Sequence, residues 1–191
     1  MNHADFPLHD RDTAPDAAAA FDRAETIFGM VPNLTRKMAT SPALAQGYLD
    51  LTSLFDRCSL SAQERGVVLL TVSRFHGCDY CMAAHSMTGR MTGLPDAEVD
   101  ALREDRPLPD ARLEALRRFV HAMLEGRGWV DASDLAAFRH AGFGEQQVLD
   151  VILGIGLKTL SNYTNHIAGT PVDTAFEHER WTAPGIAPRQ A

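Results

Sequence analysis

The stretch LSAQERGVVLLTVSRFHGCDYCMAAH, residues 60–85, decides how the chain reads. Taken alone, VVLLTV from Val67 is rich enough in β-branched residues to be a buried strand, and periodicity does not separate that reading from a buried helix. Its flank does. Ser61-Ala62-Gln63-Glu64 has the spacing of a capping box, in which the Ser hydroxyl and the Glu carboxylate each satisfy a free backbone N–H. A buried helix is therefore predicted over Ser61 to Phe75. His76-Gly77 breaks it, and Cys78 opens a second helix that runs to about Thr92 and closes at Gly93.

Outward from this stretch the helical rhythm continues in both directions. Upstream, Thr13 to Gly29 carries an apolar stripe of Phe21, Ala24, Ile27 and Phe28, and Ser41-Pro42 starts a helix reaching about Cys58. Downstream, Leu94-Pro95-Asp96 starts a short helix ending near Arg103, and EDRPLPD is a polar linker. Leu113, Leu116, Phe119, Val120, Met123 and Leu124 mark an amphipathic helix stopping at Gly126, and Asp131 caps a shorter one. A long helix from Gly144 to about Ala168 is expected to be central, with Gly154 and Gly156 as flat spots for close approach. The reading is all-α: a single helical-bundle domain over residues 15–180, an N-terminal arm at 1–14 and a C-terminal tail at 181–191, with no clear strand and no repeat.

Bulk properties agree with one domain and exclude several classes of function. A chain of 191 residues with 45% hydrophobic and 23% charged side chains can bury one core. Eighteen basic against 25 acidic residues give a net charge of −7, with no basic cluster to neutralise a phosphate backbone, so nucleic acid is not an expected partner. The acidic start MNHADFPLHDRD has no apolar core of a signal sequence and no apolar run spans a bilayer, so no membrane partner and a cytoplasmic location are expected. Three cysteines are too few and too uneven for a disulfide scaffold.

The chemistry concentrates at Cys78, Cys81 and His85. On a helix turning ~100° per residue these three fall within an arc of about 60°, so two sulfurs and an imidazole face the same way. The pair can cycle between dithiol and disulfide. Free N–H groups at a helix start and a histidine one turn beyond Cys81 both favour a thiolate there. Cys81 is the expected nucleophile, Cys78 the residue that resolves a sulfenic acid on it, and His85 either a general base or a cation beside the thiolate. Two other readings stay open: small buried cysteines with no chemistry, or half a zinc site completed by His85 with His76 or Cys58. Cys58 reads as a packing thiol and Tyr80 and Met82 as core or pocket wall. His3, His9, His76, His121, His140, His166 and His178 have surface or packing roles. No cofactor and no metal are expected.

Gly77-Cys78-x-x-Cys81-x-x-x-His85, behind a buried helix starting at Leu60-Ser61, resembles the alkylhydroperoxidase D core of the carboxymuconolactone decarboxylase superfamily. The flanking FGMVPNL (28–34) and NYTNHIAGTPVD (162–173) are similar to what such proteins carry. The resemblance implies an AhpD-like helical bundle, a trimeric or hexameric homo-oligomer, and a hydroperoxide-reducing activity fed by a partner thiol reductant protein. By position it makes Cys81 the peroxide-attacking thiol, Cys78 its disulfide partner and His85 part of a proton relay. One member departs. The family usually has a Glu twelve residues before the first motif cysteine, which here is Gly66, and Glu64 points elsewhere on the helix and is already used as a cap. A lyase acting on a small organic acid and a thiol-disulfide exchanger without efficient peroxidase activity are the alternatives.

Overall fold

The structure is a computed structural model and describes residues 6–184. The first five residues of the expected arm and the part of the expected tail beyond Pro184 lie outside the described residues. Nine α-helices make up the described chain: α1 Ala18–Phe28, α2 Asn33–Met38, α3 Pro42–Phe55, α4 Ala62–Phe75, α5 Asp79–Met91, α6 Asp96–Glu104, α7 Ala111–Glu125, α8 Ala132–His140 and α9 Glu145–Ala168. Short 3-10 turns at Pro15–Ala17 and Thr174–Glu179 complete it, with no strand among the described residues.

The ambiguous VVLLTV run is α4, and α4 is the axle of the bundle. It packs against α5, α6, α7 and α9. Val67, Val68, Leu70 and Val72 are fully buried, along with Thr71 and Ser73. The run looks strand-like because neighbours enclose the helix on most sides, which removes the polar face that would have shown a 3.6-residue period. Its start is the capping box: Glu64 N donates to Ser61 Oγ at 3.2 Å and Ser61 N to Glu64 Oε2 at 2.8 Å. Each fully buried Val or Leu adds roughly 1.5–3 kcal/mol, and the cap about 1 kcal/mol.

Gly154 supplies the flat spot on α9. A Cβ there would lie 2.8 Å from both Phe55 Cε2 and Val68 Cγ1, so its absence lets α9 close on α3 and α4. Gly156 serves no such contact, since a Cβ there would meet nothing within 4 Å.

Three boundaries depart from the sequence reading. The helix expected from Thr13 is interrupted: Asp10 Oδ1 accepts from the backbone N–H groups of Asp12 and Thr13, a 3-10 turn follows, and α1 begins only at Ala18. The helix expected to reach Cys58 ends at Phe55. FGMVPNL leads into α2, a helix not anticipated from the sequence, because Asn33 N is satisfied by Asp173, 140 residues away. Among the described residues no helix is long and apolar enough to cross a membrane.

The turn between α4 and α5 sets the site. Gly77 takes φ +65°, a left-handed conformation in which glycine carries no Cβ penalty, and the chain reverses there. The start of α5 is thereby held between α4, α9 and the last 3-10 turn.

Candidate active site

Cys78 is the N-cap of α5, in extended conformation at φ −90° and ψ 98°, rather than a residue of its first turn. Cys81 sits in that first turn and His85 one turn later. The two sulfurs are together although Cys78 lies outside the helix: the Asn165 side-chain amide donates to Cys81 Sγ at 3.2 Å and to Cys78 Sγ at 3.7 Å. Both cysteines are buried and free, adjacent but unlinked. Ser161 Oγ lies 3.8 Å from the Cys81 sulfur.

A residue that the sequence reading missed dominates the electrostatics. Lys158 of α9 is 1% exposed, and its Nζ lies 2.7 Å from His85 Nε2. A lysine ammonium can only donate, so Nε2 accepts and the ring proton of His85 sits on Nδ1. Burial, and then the Lys158 charge, hold the His85 imidazole well below its ordinary titration range. Burial alone would raise the Cys81 thiol. The hydrogen bond from Cys78, the charge and hydrogen bond of Lys158, and Ser161 outweigh it and bring Cys81 well below an ordinary thiol. Cys78 goes the other way, pushed up by burial and then by its hydrogen bond to Cys81 and the charge on that sulfur. The two thiols are therefore drawn in opposite directions, Cys81 downward and Cys78 upward. Where the sequence suggested His85 as a base or a cation beside the thiol, the structure adds a second basic side chain, Lys158, in contact with His85.

Lys158, Ser161 and Asn165 lie on one face of α9 at i, i+3 and i+7, and all three are buried. That spacing was the available signal: a polar stripe within a helix expected to be central.

Cys81 and His85 form part of the wall of a cavity of about 410 Å³, and Cys78 does not. Leu34, Tyr48, Leu69, Met87 and Phe176 make much of the lining apolar, with Arg65 also on the wall. Tyr80 is a wall residue, and Met82 belongs to the core. The Tyr80 hydroxyl donates to Asp173 Oδ2 at 2.6 Å and accepts from Leu34 N at 3.3 Å, which joins the two flanking segments quoted from the sequence. His76 pairs through Nδ1 with Asn162 Oδ1 at 3.0 Å. Among the described residues no group of three or more His, Cys, Asp and Glu could hold a metal ion.

Residues 42–125 match the model of the Carboxymuconolactone decarboxylase family. Among curated proteins none matches the chain. Solved structures do. An uncharacterized peroxidase-related protein from Ralstonia eutropha JMP134, described as an alkylhydroperoxidase AhpD core, is 19% identical with TM-score 0.78, over 92% of this chain and 95% of that one. The fold is the one these AhpD-like structures share, and the family match lies within it at residues 42–125. A peroxidase-related protein from Silicibacter sp. TM1040 is 22% identical with TM-score 0.76, over 91% of this chain and 93% of that one. A variant of the debrominase Bmp8 in complex with 2,3,4-tribromopyrrole is 19% identical with TM-score 0.76, over 94% and 96%. At such identities the likeness to these structures is one of fold.

Within this AhpD-like fold, Gly66 forms part of the cavity wall and brings no carboxylate to it. Glu64 does not replace it, being held by Ser61 and by Arg112 Nε at 3.0 Å.

Proposed function

We propose that the protein is a thiol-dependent peroxidase that reduces organic hydroperoxides through Cys81 and Cys78. The observation that carries the reading is the Cys81 sulfur on the wall of an apolar cavity, its thiol drawn well below the ordinary range, with the Cys78 thiol, drawn upward, beside it at the same Asn165 amide. The Cys81 thiolate attacks the distal peroxide oxygen, and the O–O bond breaks. The departing alkoxide takes a proton, for which His85 Nδ1–H is the donor on the cavity wall. Cys78 then attacks the Cys81 sulfenic acid, the S–S bond forms and water leaves with the Cys78 proton. Two thiol equivalents from a partner reductant protein restore the pair, attacking first at Cys81, the sulfur on the cavity wall.

The size and apolar lining of the cavity favour an alkyl or aryl hydroperoxide over hydrogen peroxide. A homo-oligomer, trimeric or hexameric, is part of the proposal and is supported by an apolar face of α9, where Leu149, Ile152, Tyr163 and Ile167 are exposed at helical spacing. A cytoplasmic location belongs to it as well, because the dithiol needs a reducing supply.

A second reading uses the same nucleophile. A cavity of this size and polarity fits a small halogenated ring, and a debrominase shares the fold. Two thiols would be oxidised to a disulfide as carbon–halogen is replaced by carbon–hydrogen and halide leaves. The test supplies the reduced protein with a dithiol and either cumene hydroperoxide or a brominated pyrrole, and follows cumyl alcohol or bromide. Peroxide consumption that Cys81→Ser abolishes is expected. Bromide release without peroxide consumption selects the second reading. Activity that survives in Cys78→Ser under full turnover removes the Cys78–Cys81 disulfide from the cycle and leaves the external dithiol to resolve Cys81.

A further inference from the structure

We propose that Lys158 is a catalytic residue of this site: its ammonium is the counter-charge that keeps Cys81 anionic, in a chain where Gly66 leaves the usual carboxylate relay incomplete. The proposal rests on the thiol reading of the site and not on which substrate is reduced.

Geometry carries the argument. Lys158 is 1% exposed, and an ammonium taken out of water is strongly penalised unless an anion and hydrogen-bond acceptors meet it. Among the described residues no carboxylate lies within ion-pair distance of Lys158. One of its protons goes to His85 Nε2 at 2.7 Å, a neutral acceptor that cannot balance charge. The group that can is the Cys81 thiol, which the Lys158 charge draws downward and which shares with Lys158 the polar face of α9 through Ser161 at 3.8 Å and Asn165 at 3.2 Å.

The other ionisable groups around Cys81 do not compete for the task. On α5, Cys78 and Tyr80 are held protonated, and His85 is neutral. From α3, Tyr48 is buried and pushed up, so it stays a phenol. Arg65 of α4, on the same cavity wall, is engaged by the Leu60 carbonyl at 2.7 Å and by Asp56 at 3.8 Å. Asp173 lies beyond Tyr80 and accepts its hydroxyl. Lys158 is left as the cation of the site.

The consequence is a division of labour unlike a base-driven relay. A carboxylate in the position of Gly66 would take a proton from a thiol. A lysine instead makes the proton leave for solvent before substrate arrives, and frees His85 Nδ1–H for donation.

The experiment follows the alkylation of Cys81 by iodoacetamide, peptide by peptide in mass spectra, from about pH 5.5 to 9, in the reduced full chain with no peroxide present. Wild type is expected to react at pH 6 almost as fast as at pH 8. Lys158→Met is expected to lose at least about tenfold at pH 6 relative to pH 8, as a rise of one pKa unit or more gives. His85→Gln is expected to keep the fast reaction at pH 6, because the charge on Lys158 remains. Matching profiles in wild type and Lys158→Met overturn the proposal. Should Lys158→Met not fold, His85→Gln still decides: loss of the low-pH reaction there makes His85 the cation and overturns the proposal, and retention supports it. Failure of the peroxidase reading leaves these profiles untouched, so the two are told apart.

Discussion

Replacing Asn165 by Ala tests whether the site is built to favour a charged sulfur. The Asn165 amide donates to Cys81 Sγ at 3.2 Å and to Cys78 Sγ at 3.7 Å, and the residue is 6% exposed, so water does not take over when the amide is removed. A hydrogen bond to a charged group contributes about 1.5–3 kcal/mol. That contribution exists in the dithiol state, where Cys81 is anionic, and is mostly absent in the uncharged disulfide. Asn165→Ala therefore destabilises the reduced form relative to the oxidised one by about that amount. For a two-electron couple ~30 mV corresponds to ~1.4 kcal/mol, so the reduction potential should become more negative by roughly 30–65 mV. The small cavity left by the truncation is common to both redox states and cancels. The assay equilibrates both proteins across a series of glutathione redox buffers, traps free thiols and counts them by mass. An unchanged or less negative potential in a variant with unaltered helical circular dichroism would refute the reasoning.

Cys78→Ser should still form a sulfenic acid on Cys81 with one equivalent of hydroperoxide, captured by dimedone, while no disulfide appears; Cys81→Ser should give neither adduct. Stability should fall as pH drops below about 6.5, because the folded chain refuses a proton at His85 that the unfolded chain binds between its ordinary value and the lowered folded one. Cys81, also lowered, acts with the same sign at higher pH, so the comparison is between wild type and His85→Gln: the urea midpoint should drop less in the variant between about pH 7 and 5.5, and an equal drop in both counts against a neutral buried His85. Tyr80→Phe removes the 2.6 Å donor to a buried carboxylate, and chemical denaturation should show a loss of about 1–3 kcal/mol.

Much of the fold was readable residue by residue. The capping box at Ser61 and Glu64 named the helical state of α4 correctly where the apolar run itself was ambiguous, because a cap is a local hydrogen-bond pattern written in four adjacent residues. The start of α6 at Leu94-Pro95-Asp96, the stop of α7 at Gly126 and the start of α9 at Gly144 were similarly local. α2 was not readable, since its first N–H is satisfied by a carboxylate 140 positions away. The motif at Cys78, Cys81 and His85 was visible as a spacing, and the structure puts Cys81 and His85 on the cavity wall and Cys78 beside Cys81 but off that wall. Which group carries the positive charge was not visible. Lys158, Ser161 and Asn165 stood in the sequence only as a polar stripe on a helix expected to be buried.

Sequence by itself determined the helical class, the order of the main helices and the position of the thiol pair, because caps, periodicity and motif spacing act over a few residues. Tertiary structure alone decided the ionisation of the site. Burial and the approach of α9 set a lysine against a histidine and a sulfur more than seventy residues earlier in the chain, and electrostatic energy depends on that distance and on the exclusion of water, neither of which a linear order of residues contains.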